Sequence, residues 1–259
     1  MSRTRFVSDL HLDAARPEVL AQFRGFLERT PCEADALYIL GDLFEHWMGD
    51  DAASPALEPV LDGLRALSSR IPVHVQRGNR DFLLGAGFEA RTGCRLLPDA
   101  VVISLYGTST LLMHGDTLCT DDVRYQRYRR VVRHPWVLQG LRKLPLGVRL
   151  GLARAMRRAS AREVARKPPA IMDVNPRAVA QAMRRYGVRR LIHGHTHRPG
   201  VHRLELDGRP AERIVLGDWY TQGSMLECGP QGCVLVQLDA SGAPIGSVPN
   251  DRARISSIR

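Results

Sequence analysis

Five times along this 259-residue chain a short, mostly apolar run stops at residues of the kind that hold metal ions. Arg5–Ser8 stops at Asp9-Leu10-His11, Ala36–Leu40 stops at Gly41-Asp42, and Val73–Gln76 leads into Gly78-Asn79-Arg80-Asp81. Thr110–Met113 stops at His114-Gly115-Asp116, and Arg190–Ile192 stops at His193-Gly194-His195-Thr196-His197. Each alone is weak. Gly-Asp after a strand is ordinarily a turn, and one His-x-His reads equally as two solvent-facing histidines. All five in one chain, each after a strand-like run, restrict it to a fold whose strand ends present carboxylate, carboxamide and imidazole.

The donors form a coherent set: Asp9, His11, Asp42, Asn79, His114, His195 and His197. Hard oxygens with borderline nitrogens suit Mn, Fe or Zn better than calcium. The set contains no thiolate, which argues against a structural zinc site. Flanking glycines let the backbone turn sharply and sit close to an ion. Seven ligands are too many for one ion and suit two ions that share a bridging carboxylate. Two such ions, about 3.5–4 Å apart, can activate water and clamp a phosphoryl oxygen.

The rest of the chain reads as mixed α/β. Pro17–Thr30 carries Val19, Leu20, Phe23, Phe26 and Leu27 at helical spacing, Leu57–Leu67 repeats the pattern, and Pro176–Tyr186 has proline in its first turn. Val101–Leu105, Val201–Leu206, Arg213–Leu216, Met225–Glu227 and Val234–Leu238 read as short strands. Val123–Lys167 is helical in composition, with breaks expected near Pro135, Gly140, Pro145 and Gly147. The tail from Asn250 is polar and expected to fray. The longest stretch free of Asp, Glu, Lys and Arg, Ala100–Gly115, is shorter and more polar than the roughly 20 apolar residues of a membrane span. The N-terminal MSRTRFVSDLHLD has no apolar core of a signal peptide. Five cysteines without a CxxC pair predict free thiols in a reducing compartment. Cys228 and Cys233, which flank the turn Gly-Pro-Gln-Gly, could approach each other across a hairpin, but in a reducing compartment they too are expected to be free.

Charge is distributed unevenly. The net +10 is concentrated between Val123 and Lys167, where 14 Lys and Arg face one acid, Glu163, and the remainder of the chain is slightly acidic. Such a segment attracts polyanions: nucleic acid, an anionic lipid surface or a phosphorylated ligand. Its cations alternate with aliphatic residues from Val131 to Met156, and stacking aromatics are few, which suits an acylated ligand better than a nucleic acid. The plainer reading is a helical insertion whose apolar residues pack on the core.

The five motifs, D-x-H, G-D, G-N, H-G and G-H-x-H, resemble those of the calcineurin-like binuclear metallophosphoesterases from about Arg5 to His197. The strings SDLHL, GDLFEHWMGDD, GNRDFL, HGDTLCTDD with YQRYRR, IMDVN and HGHTHRP look in particular like the branch that cleaves UDP-2,3-diacylglucosamine in lipid A biosynthesis. The resemblance implies a four-layer α-β-β-α sandwich with a helical lid insertion. The core would span 1–121 and 168–250, the lid 122–167, and a polar tail 251–259. It implies two Mn²⁺ per chain, one held by Asp9, His11, Asp42 and His197, the other by Asp42, Asn79, His114 and His195. It implies hydrolysis to UMP and 2,3-diacylglucosamine 1-phosphate, with metal-activated water attacking the α-phosphorus. Asn79, Arg80 and His195 would serve catalysis and touch substrate. Asp122, Ser160, Val164 and Lys167 occupy positions that in the family contact the glucosamine and nucleotide. Relatives can carry a polar residue where this chain has Val164. A monomer would work peripherally on the anionic cytoplasmic face of a Gram-negative inner membrane, without nucleic acid.

The residue after Asn79 can be argued physically. Phosphoesterases of this fold usually carry histidine there, able to protonate a leaving alkoxide. Arg80 cannot act as an acid, but a departing phosphate, with its second pKa near about 6, needs no proton. A guanidinium instead offers two parallel donors to phosphoryl oxygens, so Arg80 favours an anhydride over an ester. Its plainer alternative is an ion pair with Asp81. Asp116 is expected to orient His114 and His193 to pack beneath the site, while Trp47 either stacks on a base or packs. Tyr125 and Arg157 are further candidates for substrate contact. Rival readings are another phosphoesterase or nuclease on the same fold, or a non-catalytic module that binds through its basic segment.

Overall fold

A computed structural model describes residues 2–164, 173–220, 223–247 and 256–257. The strands are β1 (Thr4–Val7), β2 (Ala36–Leu40), β3 (Val73–Gln76), β4 (Arg95–Leu96), β5 (Ala100–Leu105), β6 (Thr108–Met113), β7 (Arg190–His193), β8 (Gly200–Leu206), β9 (Arg209–Val215), β10 (Gly223–Gly229), β11 (Gly232–Leu238), β12 (Pro244–Ser247) and β13 (Ser256–Ser257). The helices are α1 (Pro17–Glu33), α2 (Glu58–Ser68), α3 (Ala86–Thr92), α4 (Val123–Val132), α5 (Pro135–Lys143), α6 (Leu146–Val164) and α7 (Pro176–Tyr186). One sheet has the order β12-β11-β10-β1-β2-β3-β4, the other β13-β8-β9-β7-β6-β5.

The two-residue period of a strand sorts side chains into layers. On β1 and β2, Val7, Leu37 and Ile39 face outward and pack with the apolar faces of α1 and α2, while Phe6 and Leu40 face inward. On β6 and β7, Leu111 and Leu191 pack outward with Val179, Ala180 and Met183 of α7, while Leu112 and Ile192 face inward. The inward residues meet between the sheets, with Ile214 and Leu226 among them. This is the expected four-layer α-β-β-α arrangement.

α1 buries Val19, Leu20, Phe23, Phe26 and Leu27. α7 opens with Pro176 in its first turn and the Asn175 side chain accepting from the N–H groups of Arg177 and Ala178, and ends at Gly187 with φ 65°. Of the four breaks expected in the basic segment, those at the prolines form: Pro135 opens α5 and Pro145 precedes α6. Gly140 and Gly147 lie inside helices, since a helix tolerates glycine at about 1 kcal/mol whereas proline lacks the N–H.

Two further expectations are corrected. Ser256–Ser257 pairs in parallel with Leu204–Glu205, so the tail is not wholly unpaired. Cys228 and Cys233 are disulfide-bonded rather than free. The register of the β10–β11 hairpin sets them directly opposite each other, Cα atoms 4.0 Å apart. Cys32, Cys94 and Cys119 are in no disulfide.

The parallel strands β1, β2 and β3 all run toward one edge of their sheet, and β6 and β7 are parallel in theirs. Their C-terminal turns therefore meet. The α4–α6 segment is tied to these turns by arginines. Arg133 donates to Gly78 O at 2.6 Å, Arg129 to Asp116 at 2.6 Å and Asp99 at 2.7 Å, and Arg149 to Met48 O at 2.6 Å and to Asp51.

Candidate active site

The turns that carry the candidate ligands are backbone specialisations. Asp9, His11, Asp42, His195 and His197 all have positive φ, between 49° and 70°, which costs a non-glycine residue roughly 1–2 kcal/mol. Glycines make room beside them: a Cβ on Gly78 would lie 2.0 Å from Asp42 Oδ1, and one on Gly194 2.3 Å from Asp9 Oδ2. Strain concentrated at five chemically matched residues marks a functional site.

Asp9 sits at the centre, wholly buried. Its Oδ2 accepts from Ser8 Oγ at 2.6 Å and His195 N at 2.8 Å. Its buried Oδ1 receives no well-formed hydrogen bond and faces His197 Nε2 at 3.3 Å and His11 Nε2 at 4.0 Å. Each of these histidines has a carboxylate behind it. Glu45 Oε2 lies 3.0 Å from His11 Nδ1, and Asp218 Oδ2 lies 3.3 Å from His197 Nδ1. Both rings therefore turn Nε2 inward, where the two nitrogens stand 3.4 Å apart.

Beside this group, Asp42 Oδ2 lies 3.9 Å from His11 Nε2 and 3.8 Å from His114 Nε2, which places it between two clusters. The second cluster centres on Asn79 Oδ1, 3.0 Å from both His114 Nε2 and His195 Nδ1. His114 Nδ1 donates to Leu40 O at 2.9 Å. All seven candidate ligands are thus gathered. Asp9, His11 and His197 form one compact donor group, and Asp9, Asp42 and His114 another. An orphaned carboxylate oxygen and inward-facing imidazole nitrogens fit divalent ions of the Mn, Fe or Zn kind.

The electrostatics agree. Burial opposes ionisation of Asp9, but the nearby His197 imidazole and the charge on His114 hold its carboxyl far below the usual range. Burial would lower His114, yet the carboxylates of Asp42 and Asp9 raise it to about 9. Burial and the charge of His114 push His195 down to about 4. A proton held by His114 against Asn79 Oδ1 stands where a cation would bind.

Other expectations fare differently. The Arg80 side chain pairs with Glu45, Nη1 to Oε1 3.3 Å, and not with Asp81. Asp81 is buried and clamps the loop, accepting from Gly78 N at 2.7 Å and Leu43 N at 2.8 Å. Asp116 does not orient His114. It accepts instead from Tyr125 OH at 2.8 Å and Arg129 Nε at 2.6 Å, anchoring α4. His193 packs beneath the site, its Nδ1 donating to Gly194 O at 2.8 Å, and burial lowers it to about 3. Trp47 packs too: it is 3% exposed, stacks on Phe44 and donates to Asp50 at 2.9 Å. The Asp122 carboxylate caps α4 by accepting from Tyr125 N at 3.1 Å. The Tyr125 ring lies 6.0 Å from that of His195. Ser160 and Val164 belong to α6, but their side chains, like that of Arg157, lie outside the described residues, as does Lys167 entirely.

Three contributors escaped sequence reasoning: Glu45, Asp218 and Tyr220, whose ring stacks on His11 with centroids 5.0 Å apart. A signal for Asp218 existed. Gly217-Asp218 follows the apolar end of β9 just as Gly41-Asp42 follows β2.

Comparison with known proteins adds independent findings. Residues 2–199 match the family model described as calcineurin-like phosphoesterase. A UDP-2,3-diacylglucosamine hydrolase of Edwardsiella ictaluri is 49% identical over 242 residues, covering 93% of each chain. Another of that name, from Pseudomonas paraeruginosa, is 51% identical over 88% of this chain and 95% of its own. One from Aeromonas salmonicida is 50% identical over 88% and 90%.

Proposed function

The chain belongs to the calcineurin-like phosphoesterase family, and from that membership we propose that it hydrolyses the pyrophosphate bond of UDP-2,3-diacylglucosamine, giving UMP and 2,3-diacylglucosamine 1-phosphate in lipid A biosynthesis. The observation that carries this reading is the identity, near half of all aligned residues, to hydrolases of that name over 88–93% of the chain. Mass-spectrometric detection of UMP released from UDP-2,3-diacylglucosamine tests it. Activity confined to simple phosphodiesters or DNA would remove it.

Asp9, His11, Asp42 and His197 would hold one divalent ion, and Asp42, Asn79, His114 and His195 a second, Mn²⁺ in both. Such ions supply a more acidic water and draw charge from phosphoryl oxygens. The Leu40 carbonyl fixes the tautomer of His114, and the Glu45 and Asp218 carboxylates stand behind the Nδ1 atoms of His11 and His197, so that each ring offers Nε2 inward. Arg80 reaches the reacting diphosphate with a rigid donor fork and bears no transferable proton, which matches a phosphate leaving group. Asn79 and His195 would touch the same substrate beside their part in holding the ion. Asp122, Ser160, Val164 and Lys167 are the contribution of the 122–167 lid to substrate contact, Val164 through an apolar surface alone. All seven ligands come from one chain, so a monomer suffices.

Metal binding must displace the proton on His114. In the metal-free protein its pKa of about 9 keeps it charged at neutral pH, and coordination requires the neutral ring. Titrating Mn²⁺ at neutral pH in buffers of different ionisation enthalpy is expected to show release of about one proton per chain from this source, fading as pH rises through 9. The sign is the same for folding: the raised pKa stabilises the metal-free fold fully below pH 6.5, and that contribution is lost as pH rises through 9. Buffer-independent binding heat at neutral pH would contradict the assignment.

No helix among the described residues is long and apolar enough to cross a membrane. The lid instead exposes Val123, Val131, Val148, Leu152 and above all Trp136, at 78%, among its arginines. These residues would rest on the anionic cytoplasmic surface of the inner membrane, where the substrate resides. Flotation with anionic vesicles is expected to show binding that falls about tenfold when ionic strength is raised several-fold. Salt-insensitive binding would point to apolar insertion.

A further inference from the structure

A cavity of about 520 Å³ opens beside His197, lined by Asp173, Thr196, Arg198, His202 and Arg213 together with Pro199 and Val215. None of its lining residues belongs to the Asn79–Arg80 loop or to α4–α6. α4 stands over His195 through Tyr125. The cavity adjoins the candidate ligands at His197, and its Asp173 and Arg213 lie beside Cys119, just ahead of α4.

Its chemistry is that of a polar ligand with an ionised attachment. Asp173 Oδ2 accepts from Arg198 Nη1 at 2.8 Å, and its Oδ1 from Val174 N at 2.8 Å. Each oxygen keeps a lone pair for a hydroxyl or an imide N–H. Arg213 donates to His193 Nε2 at 3.3 Å. Among the described residues no carboxylate comes within ion-pair distance of its guanidinium, and burial lowers its pKa. Thr196 Oγ1 is buried without a hydrogen-bond partner. Among the described lining residues two arginines stand with one carboxylate, while Pro199 and Val215 supply an apolar wall. Acyl chains would strip these charged groups of water without compensation. A bare phosphate would leave most of the space unfilled, because cavities of roughly 300–1,000 Å³ fit whole small molecules.

We propose that this cavity binds the nucleoside half of the substrate. This rests on the reading of the chain as a UDP-2,3-diacylglucosamine hydrolase. A substrate held by its diphosphate at the ligand cluster, with its acyl end under α4–α6, can lay its other end in the cavity that adjoins the cluster at His197. There Asp173 accepts from the ribose hydroxyls or the base N–H, Arg213 and Thr196 donate to base carbonyls, and Pro199 with Val215 receives the ring face. The cavity then recognises nucleoside monophosphate and retains it after the anhydride is cleaved.

Calorimetric titration of the manganese-loaded protein with 5′-UMP, and separately with inorganic phosphate, tests this. Asp173→Asn and Arg213→Gln are each expected to weaken UMP about tenfold or more while leaving phosphate affinity unchanged. KM for the glycolipid should rise more than kcat falls. Unaltered thermal melting identifies a folded variant, and the two substitutions act on different elements, so one informative variant suffices. Undiminished UMP affinity in the folded variants, equal weakening of phosphate, or a wild-type protein that does not bind UMP would overturn the inference. A wild-type protein that binds UMP through these residues yet releases none from the glycolipid would instead remove only the proposed activity.

Discussion

Asp42→Ala is expected to lower UMP release by about a thousandfold or more and to reduce bound manganese to one ion per chain or fewer. Asp42 Oδ2 stands 3.9 Å from His11 Nε2 and 3.8 Å from His114 Nε2, so one oxygen serves both donor groups. Its Oδ1 accepts from Arg80 N at 2.8 Å, which couples the Asn79–Arg80 turn to the same carboxylate. Removing it opens both clusters and releases that turn. Asp42→Asn, which keeps the shape and loses the charge, should retain the fold and lose most of the metal. Elemental analysis alongside the UMP assay checks both variants. Full activity with two ions in either would end the proposal that this residue bridges.

Arg80→Ala separates catalysis from metal loading. The backbone N–H that touches Asp42 survives the substitution, and none of the seven donors is altered. Metal content should therefore stay near two per chain, while kcat falls about a hundredfold, the scale for losing one set of donors to developing charge. Arg80→Lys restores a point charge without the fork and should recover only part of the loss. Loss of metal in Arg80→Ala would show that the side chain serves the loop rather than the substrate. The Glu45 pairing gives a companion measurement. Glu45 lies 3.0 Å from His11 Nδ1 and 3.3 Å from Arg80 Nη1, so Glu45→Gln should weaken manganese and turnover together, by about 10- to 100-fold in affinity.

The gathering of the seven candidate ligands was legible because each follows an apolar run at a strand end, a local signal that needs no knowledge of the neighbours. The layers were legible for the same reason, since alternation along β1, β2, β6 and β7 is written into short stretches. What escaped depends on distance along the chain. Glu45 and Asp218 act on His11 and His197 through space, and nothing local marks a carboxylate as the partner of a remote imidazole. Asp116 was misread because sequence adjacency to His114 suggested a contact, whereas the tyrosine and arginine of α4 reach it first. The disulfide turned on register: only the pairing of Gly229 with Gly232 sets Cys228 against Cys233. The cavity beside His197 is assembled from the Thr196–Pro199 turn, β8, β9 and the turn before α7, segments that only the fold brings together.

The left-handed backbone shared by Asp9, His11, Asp42, His195 and His197 has an evolutionary consequence. At those five positions glycine would be the more comfortable residue, by roughly 1 kcal/mol or more each, in the absence of any ion. The candidate metal ligands are thus not the residues the fold would choose. A lineage released from the need for this activity would be free to gain stability by discarding them, and the metal-binding motif would erode before the hydrophobic layers that carry it.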